Sequence, residues 1–399
     1  MKLSKRIEYI QPSQTLAVTT KVDKLRRAGR DVIDLGAGEP DFDTPEIIKK
    51  EAIKAIENGM TKYTPSTGIF ELKEAICEKL WQDNGLKYSP SQIVVTCGAK
   101  HAIINTLLAL CERGDEVIIA SPYWTSYPEQ IRFVEAQPVI IQTGEEHDFK
   151  IQPEQLNAAL NNRTKMIIFN SPSNPTGCVY TYEELQSLVE ILAQKDIYIL
   201  SDEIYEKIIY DGYRHVSLAS FEEIKDRVVL INGVSKAFAM TGWRIGYLAA
   251  PTDVVKAVSK IQSHSTSNPC SISQWASVAA LKAGDTLTGA MLEAFDQRRK
   301  FMVKELNDLN GIYCREPKGA FYLFPNISDL LGKSYKGGII QSAMDFCSYV
   351  LEEVSVALVP GEAFGSKKHV RISYATSLDN LEESIIRLRK AIESLQDSS

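Results

Sequence analysis

The sequence predicts an α/β protein with a mainly parallel, seven-stranded sheet sandwiched by helices, followed by a smaller α+β domain. Short runs rich in Val and Ile alternate with segments of helical periodicity, which is typical of a parallel sheet with crossover helices. The runs are almost continuously apolar, as expected for strands that are covered on both faces. Seven runs carry this signal: 93–96, 116–120, 138–142, 166–170, 198–201, 228–231 and 245–249.

Helical segments lie between several of these runs. Residues 99–111 place Ile103, Leu107 and neighbouring apolar side chains on one stripe, which predicts an amphipathic helix. Thr181 begins a second helix as its N-cap, and Glu184 three residues later completes a capping box. Each helix lies between two predicted strands, so both fit the crossover pattern.

The character of the chain changes near residue 291. A charged helix is predicted over 293–309, a short strand over 370–374 and an amphipathic helix after it. We therefore predict three ranges: an N-terminal arm with part of the small domain over 1–45, a large α/β domain over 46–290, and a C-terminal small domain over 291–399.

Composition excludes several functional classes. The 399 residues include 45 Lys and Arg against 51 Asp and Glu, a net charge of −6, which disfavours nucleic-acid binding. No apolar run approaches the roughly 18 residues of a membrane span, and residues 1–15 lack the apolar core of a signal peptide. Seven Cys without a CxxC pair and five His without an HExxH pair predict no metal site and favour a reducing cytoplasm.

Polar residues follow the predicted strands where an α/β sheet binds its ligands. Gly98 leads from a strand into a helix, so the amides after it would face an anion, although an ordinary turn reads the same way. Asn174 stands in a proline-rich loop that is either a presenting loop or a structural turn. Asp202 ends another strand, where it either faces the ligand crevice or caps the following helix.

Two cations give the strongest signal. Lys236 lies just past the strand 228–231, and Arg244 opens the next apolar run. An amine and a guanidinium that enter one crevice favour a carbonyl-type cofactor with an anionic tail, whereas a lone Lys is usually only solvated. Arg371 begins an apolar strand, where it either binds an anion or faces water from a sheet edge.

Together these motifs resemble the fold type I pyridoxal 5'-phosphate enzymes, specifically the class I aminotransferases of the bacterial aspartate aminotransferase branch. The resemblance spans the chain from Pro12 to the last helix. Its motifs are Ala37-Gly-Glu-Pro-Asp-Phe, Tyr63-Thr-Pro, Gly68, Ser121-Pro-Tyr-Trp, Asn174-Pro-Thr-Gly, Ser201-Asp-Glu-Ile-Tyr, Ser235-Lys and Arg371.

The resemblance implies a role for each site residue. Lys236 would hold the cofactor as an internal aldimine and move the α-proton, with Asp202 on the pyridine nitrogen. Tyr205 and Asn174 would bind the phenolic oxygen, and Trp124 would stack on the ring. The phosphate would be surrounded by Gly98, Ala99, Lys100, Ser235 and Arg244, with Tyr63 reaching it from a second subunit.

The resemblance also implies the substrate contacts and the reaction. Arg371 would bind the α-carboxylate, and Lys100 with Thr15 would bind a distal carboxylate. The expected reaction converts L-aspartate and 2-oxoglutarate to oxaloacetate and L-glutamate, by a ping-pong route through pyridoxamine phosphate in a homodimer. The full set of expected substrate-binding residues is Gly38, Lys100, Trp124, Asn174, Arg371 and Thr15.

Three alternatives stay open. The first is an aspartate/prephenate or aromatic aminotransferase, whose prephenate-accepting members tend to carry a basic residue near the N-terminus, where this chain has Gln11. The second is a pyridoxal-phosphate β-lyase on the same fold, releasing pyruvate and ammonia. The third is a transcriptional regulator with an aminotransferase-like domain, which we place last because the resemblance begins near residue 12 and the net charge is negative.

Overall fold

The computed structural model describes residues 3–336 and 338–397. Among these residues, no helix has both the length and the apolar character needed to cross a membrane. The helices are α1 (Gln14–Arg27), α2 (Glu46–Glu57), α3 (Phe70–Asn84), α4 (Ala99–Leu110), α5 (Ser126–Phe133), α6 (Pro153–Ala159), α7 (Tyr182–Leu192), α8 (Thr252–Ser265), α9 (Ser271–Ala283), α10 (Gly289–Asn307), α11 (Ala343–Val354) and α12 (Leu378–Glu393). The strands are β1 (Ile33–Asp34), β2 (Ile93–Thr96), β3 (Glu116–Ser121), β4 (Gln137–Gln142), β5 (Thr164–Asn170), β6 (Tyr198–Asp202), β7 (Val228–Gly233), β8 (Gly246–Ala249), β9 (Tyr322–Leu323), β10 (Ser334–Tyr335), β11 (Gly338–Ile339), β12 (Val356–Ala357), β13 (Val359–Pro360) and β14 (Val370–Ser373).

Seven strands form the main sheet in the order β2-β8-β7-β6-β5-β3-β4. The strands β3, β4, β5, β6 and β7 pair in parallel, and β8 runs antiparallel to both of its neighbours. All seven apolar runs are strands of this sheet, so the predicted mainly parallel architecture is confirmed. The capping box at Thr181 and Glu184 is also present at the start of α7.

The sheet is buried between two layers of helices. Alternate residues of the strands point to opposite faces, so Ile118 and Ile167 join one apolar cluster while Val117 and Met166 join the other. The first cluster contains the inner faces of α2, α3 and α7, and the second those of α4, α5 and α8. Burial on both faces explains why the strands read as unbroken apolar runs.

The carboxyl ends of β5, β6 and β7 lie side by side. Asn170 is in register with Asp202, and Asp202 with Ile231, so the loops that follow these strands leave from one edge. The strand order also reverses next to β3: β4 lies on one side of it and β5 on the other. Such a reversal opens a crevice at the carboxyl ends of the strands, which is where open α/β sheets bind ligands.

A second sheet follows in the C-terminal part of the chain. Strands β13, β14 and β9 pair antiparallel, and a separate apolar cluster joins them to α10, α11 and α12. The short strand β1 pairs in parallel with β12, which brings the N-terminal segment to this part of the molecule. The domain ranges 1–45, 46–290 and 291–399 stay a prediction, and residues 1, 2, 337, 398 and 399 lie outside the described residues.

A buried ion pair links α3 to the segment after β6. Lys79 forms an ion pair with Glu206, and both side chains are more than nine-tenths buried. The Lys79 ammonium also donates to Asn84 at 2.9 Å, and the Asn84 amide donates to Glu206 at 3.0 Å. Burial by itself raises the pKa of Glu206, but Lys79 and His215 outweigh it and lower the pKa to about 2. Glu206 is therefore ionised at neutral pH.

We expect Lys79→Met to lower the free energy of unfolding by about 3 kcal/mol at pH 7, because it leaves the Glu206 charge buried and unpaired. The pKa of Glu206 lies below its ordinary value of 4.5, so the pair stabilises the protein above that pH and loses its effect as the pH falls towards 2. Urea unfolding at several pH values measures the loss, which should shrink in acid. The double variant Lys79→Met/Glu206→Gln should recover most of the loss; an equal loss in both variants would contradict the role given to the unpaired charge.

Candidate active site

A cavity of about 280 Å³ opens at the carboxyl edge of the main sheet. Its walls combine the ends of β6 and β7, the start of α4, the N-terminal segment and β14. Twelve of the fourteen predicted site residues line it: Thr15, Gly38, Ala99, Lys100, Trp124, Asn174, Asp202, Tyr205, Ser235, Lys236, Arg244 and Arg371. Of the remaining two, Gly98 lies next to the cavity against Arg244, and Tyr63 lies outside it.

Lys236 follows β7 and points its amine across the cavity. Its Nζ donates to the Gly38 carbonyl oxygen at 2.6 Å, and the Tyr205 and Phe321 rings each lie 6.0 Å from it. Burial lowers the pKa of this amine to about 8, with the Arg244 charge acting in the same direction. About a tenth of the amine is therefore neutral at pH 7, far more than for an ordinary lysine, and the neutral form is the one that a nucleophile or a general base requires.

Asp202 ends β6 on the opposite wall. Its Oδ2 accepts a hydrogen bond from the Tyr127 hydroxyl at 2.6 Å, and its Oδ1 accepts one from the Ile204 amide at 3.3 Å. Burial raises its pKa to about 6, although both hydrogen bonds favour the ionised form. Asp202 therefore presents a carboxylate to the cavity. The segment that follows β6 is a turn and not a helix, so the alternative of a helix cap is wrong.

The start of α4 and Arg244 form an anion-binding end. Gly98 precedes the helix with φ +87°, and no side chain caps the first turn, so the first amides have no acceptor one turn back. The Arg244 guanidinium lies against Gly98: a Cβ at Gly98 would stand 2.4 Å from its Nη2. Arg244 Nη1 donates to the Thr241 carbonyl at 2.8 Å, which fixes the group there. A guanidinium beside a helix N-terminus is suited to a phosphate.

Arg371 lies on β14 and is only 2% exposed. Its Nη1 donates to the Asn174 side chain at 3.1 Å and its Nη2 to the Gly36 carbonyl at 2.7 Å. The guanidinium also lies over the Tyr322 and Phe364 rings, at 4.5 and 5.0 Å from their centroids.

Arg371 forms no ion pair among the described residues. Its Nε is buried without a hydrogen bond, and the Asp34 carboxylate acts on its charge only from beyond ion-pair distance. Burial lowers the pKa of this guanidinium, but an arginine remains charged at neutral pH. Arg371 is therefore a buried cation with capacity for a carboxylate, and the alternative of an edge-strand residue facing water is wrong.

Three neutral groups complete the walls. The Tyr205 hydroxyl shares a hydrogen bond with Tyr322 at 2.9 Å, and the backbone N–H of Asn174 donates to Asn170 Oδ1 at 2.8 Å. Trp124 lies in the segment after β3, and its side chain lines the cavity. Together they give the cavity flat aromatic surfaces and hydrogen-bonding groups at the switch point of the sheet.

Lys100 and Thr15 lie towards the outer end of the cavity. Lys100 Nζ stands 4.9 Å from the Trp124 ring, and burial followed by Arg244 lowers its pKa. Thr15, in the first turn of α1, shares a hydrogen bond with Ser13 at 2.9 Å. Tyr63 lies outside the cavity with 91% of its surface exposed, so within one chain it does not reach the anion-binding end.

Sequence reasoning missed several residues of the site. Tyr127 holds the Asp202 carboxylate and packs edge-on against Trp124 at 5.3 Å, and Tyr322 joins Tyr205 to Arg371. An aromatic residue in a short helix or strand is usually core, so only its place near a strand end could have signalled Tyr127.

One cluster with metal-ligand residues lies away from the cavity. Within the described part of the chain, Glu203, Glu206 and His215 bring ligand atoms to within 4.8 Å of one another. Lys79 already pairs with Glu206, and His215 Nε2 contacts Glu203 at 2.8 Å, so the cluster has internal charge balance. The absence of a metal site stays a prediction.

Comparison with known proteins identifies the group to which this site belongs. Residues 30–388 match the family model of class I and II aminotransferases. The chain is 48% identical to an aspartate aminotransferase of Bacillus subtilis over 98% of its length and 99% of the relative. It is 49% identical to an aspartate/prephenate aminotransferase of Cereibacter sphaeroides, over 97% of the chain and 98% of the relative. The structure of the Thermus thermophilus aspartate aminotransferase with maleate superposes with a TM-score of 0.92 at 41% identity, covering 98% of this chain and 100% of that one.

We expect Gly98→Ala to weaken the binding of pyridoxal 5'-phosphate by tenfold or more, because the added Cβ displaces the Arg244 guanidinium. Fluorescence quenching of the cofactor-free protein measures the affinity. Gly85→Ala is the control: its φ of +69° is also positive, in the αL region, and a Cβ there meets nothing within 4 Å. Equal affinities in the two variants would contradict the role given to Arg244.

Proposed function

The chain belongs to the class I and II aminotransferase family, and we infer that it is an aspartate aminotransferase that depends on pyridoxal 5'-phosphate. It transfers the amino group of L-aspartate to 2-oxoglutarate, giving oxaloacetate and L-glutamate. The observation that carries this assignment is the opening of a low-pKa amine and an unpaired buried guanidinium into one cavity, at Lys236 and Arg371. An amine that bonds to a carbonyl and a cation that binds a carboxylate are what transamination of an amino acid requires.

The residues of the cavity fit pyridoxal 5'-phosphate. Arg244 over Gly98 and the N-terminus of α4 provide the phosphate cradle, which a Cβ at Gly98 would fill. Lys236 offers the amine for the aldehyde, and Asp202 a carboxylate for the ring nitrogen. When bound, the cofactor supplies an electron sink that makes the α-hydrogen of an amino acid acidic. The other phosphate contacts are assigned to Ala99, Lys100 and Ser235.

Asp202 keeps the ring nitrogen protonated. Its pKa of about 6 leaves the carboxylate mostly ionised at neutral pH, and Tyr127 holds it in place. At about 4 Å and an effective dielectric constant of about 20, such a charge pair is worth on the order of 4 kcal/mol.

Lys236 moves the proton. With a pKa of about 8, its Nζ can take a proton from the α-carbon and return it to a neighbouring atom near neutral pH. Tyr205 and Asn174 are assigned to the phenolic oxygen, and Trp124 to the face of the ring. These contacts orient the reacting bond towards the Lys236 amine.

Two cations select the substrate. Arg371 binds the α-carboxylate with help from Asn174 and the Gly38 backbone, and burial makes that charge-assisted contact strong. Lys100, with Thr15 nearby, binds the distal carboxylate of aspartate or glutamate. The Thermus relative was solved with maleate, a dicarboxylate, which supports a site with two carboxylate positions.

A homodimer completes the site in this proposal. Tyr63 is almost fully exposed, and Met60 and Phe70 near it also expose large apolar surface. The outer face of α2 adds three more exposed apolar side chains, Ile47, Ile53 and Ile56. A patch of this kind supports burial against a second copy of the chain, in which Tyr63 reaches the phosphate of the other subunit.

We also place the protein in the cytoplasm, because its seven cysteines are thiols.

An aspartate/prephenate aminotransferase is the second candidate, because the Cereibacter relative carries that name. Prephenate supplied as the amino acceptor, with aspartate as donor, separates the two: consumption of prephenate supports the broader activity. A β-lyase would instead release ammonia and pyruvate.

The central test mixes the loaded enzyme with L-aspartate alone. We expect the visible absorption of the cofactor to disappear with formation of one oxaloacetate per site, and 2-oxoglutarate to restore it with one glutamate. Asp202→Asn should still bind the cofactor but transaminate about a thousandfold more slowly, because it loses the charge on the ring nitrogen. An unchanged spectrum with aspartate would contradict the assignment.

We expect Lys100→Ala to lower kcat/KM for L-aspartate about tenfold more than for L-alanine, because only aspartate has a distal carboxylate to lose. Steady-state rates for both donors give the ratio. Lys256→Ala, at an exposed position on α8, is the control and should leave both unchanged. A uniform loss for aspartate and alanine would show that Lys100 does not select the substrate.

A further inference from the structure

The segment that begins at Gly38 crosses the mouth of the cavity next to the Lys236 loop. The Gly38 carbonyl accepts from Lys236 Nζ at 2.6 Å. The next residue, Glu39, accepts a hydrogen bond on its Oε2 from the Thr241 hydroxyl at 2.7 Å. The Thr241 carbonyl in turn accepts from Arg244. The exposed Glu39 carboxylate is thereby held against the loop that carries Lys236 and Arg244.

The rest of this segment is anchored on both sides. Thr44 donates its hydroxyl to the Ala239 carbonyl at 2.7 Å, and the Trp243 indole donates to the same hydroxyl at 3.0 Å. Asp41 accepts two hydrogen bonds from the Arg298 guanidinium, at 2.8 and 3.0 Å. The backbone around Glu39 is therefore held by α10 and by the Lys236 loop together.

Two cations and two carboxylates face the Lys236 amine. Arg244 and Arg371 face it as cations, and Asp202 and Glu39 as carboxylates. The remaining groups around it are the Tyr205 and Phe321 rings, the Tyr322 hydroxyl and, beyond Arg244, the Lys100 amine. Asp202 is held by Tyr127 and is assigned to the ring nitrogen. Glu39 is the other carboxylate that opposes the two arginines at this amine.

We propose that Glu39 is a positioning residue, whose anchored carboxylate controls how readily the Lys236 amine gives up its proton. The inference rests on the proposed function, in which that amine must both take and return a proton. Burial and the two arginines lower the pKa of Lys236, and the negative charge of Glu39 opposes them. Without Glu39 the amine becomes a weaker base, so less of it carries a proton at neutral pH.

The test compares Glu39→Gln with the parent protein in the absence of cofactor. The rate of acetylation of Lys236 by a trace of acetic anhydride is measured from pH 6 to 10 by peptide mass spectrometry, with exposed Lys256 as internal reference. We expect the midpoint for Lys236 to lie near pH 8 in the parent and about one unit lower in Glu39→Gln. Glu39→Asp should return at least part of the shift.

Asp43→Asn is the matched control, because it removes the same charge from the same segment at a side chain that is 95% exposed and contacts Lys49. Its Lys236 midpoint should equal that of the parent. An unshifted midpoint in Glu39→Gln, or an equal shift in Asp43→Asn, would overturn the proposal. Acetylation does not require turnover, so it tests Glu39 even if the transamination assay fails, and active enzyme with an unshifted midpoint would refute only the role of Glu39.

Discussion

The site depends on Arg371, a buried cation that forms no ion pair among the described residues. Arg371 is held by a backbone carbonyl, an amide oxygen and two aromatic faces, all of them neutral. Burying an unpaired charge costs free energy that neutral dipoles only partly offset. A bound carboxylate removes part of that cost. Binding is therefore strengthened, because the cation was already desolvated when the protein folded. The partners come from the N-terminal segment and the loop after β5, so three distant parts of the chain must assemble around β14.

The same electrostatic logic extends across the cavity. Lys100, Lys236, Arg244 and Arg371 line it together with one carboxylate, Asp202, although the chain as a whole has a net charge of −6. Positive charge is therefore concentrated where a phosphate and the carboxylates of a substrate bind. Burial, assisted by the neighbouring arginines, also lowers the pKa of both lysines, which makes the Lys236 amine available for chemistry near neutral pH.

Local patterns predicted the strands of the main sheet because continuous Val and Ile runs are characteristic of strands that are buried on both faces. They could not predict the direction of β8, since an apolar run reads the same both ways. Their positions next to strand ends, together with the family resemblance, predicted that Asp202, Lys236 and Arg371 belong to one site. Tyr127 and Glu39 escaped because their contacts join residues far apart in sequence, at 75 and 202 positions, and no local pattern encodes such a distance.

The most direct test of the unpaired cation is the binding of maleate, an unreactive dicarboxylate, to the loaded protein and to Arg371→Leu by calorimetry. Maleate should bind the variant about a hundredfold more weakly, because a buried charge-assisted contact is lost. The ligand-free variant should unfold at nearly the same urea concentration as the parent, since removing an unpaired buried charge offsets the lost hydrogen bonds. Undiminished maleate affinity in Arg371→Leu, or a large loss of stability without ligand, would contradict the view that Arg371 is kept for binding.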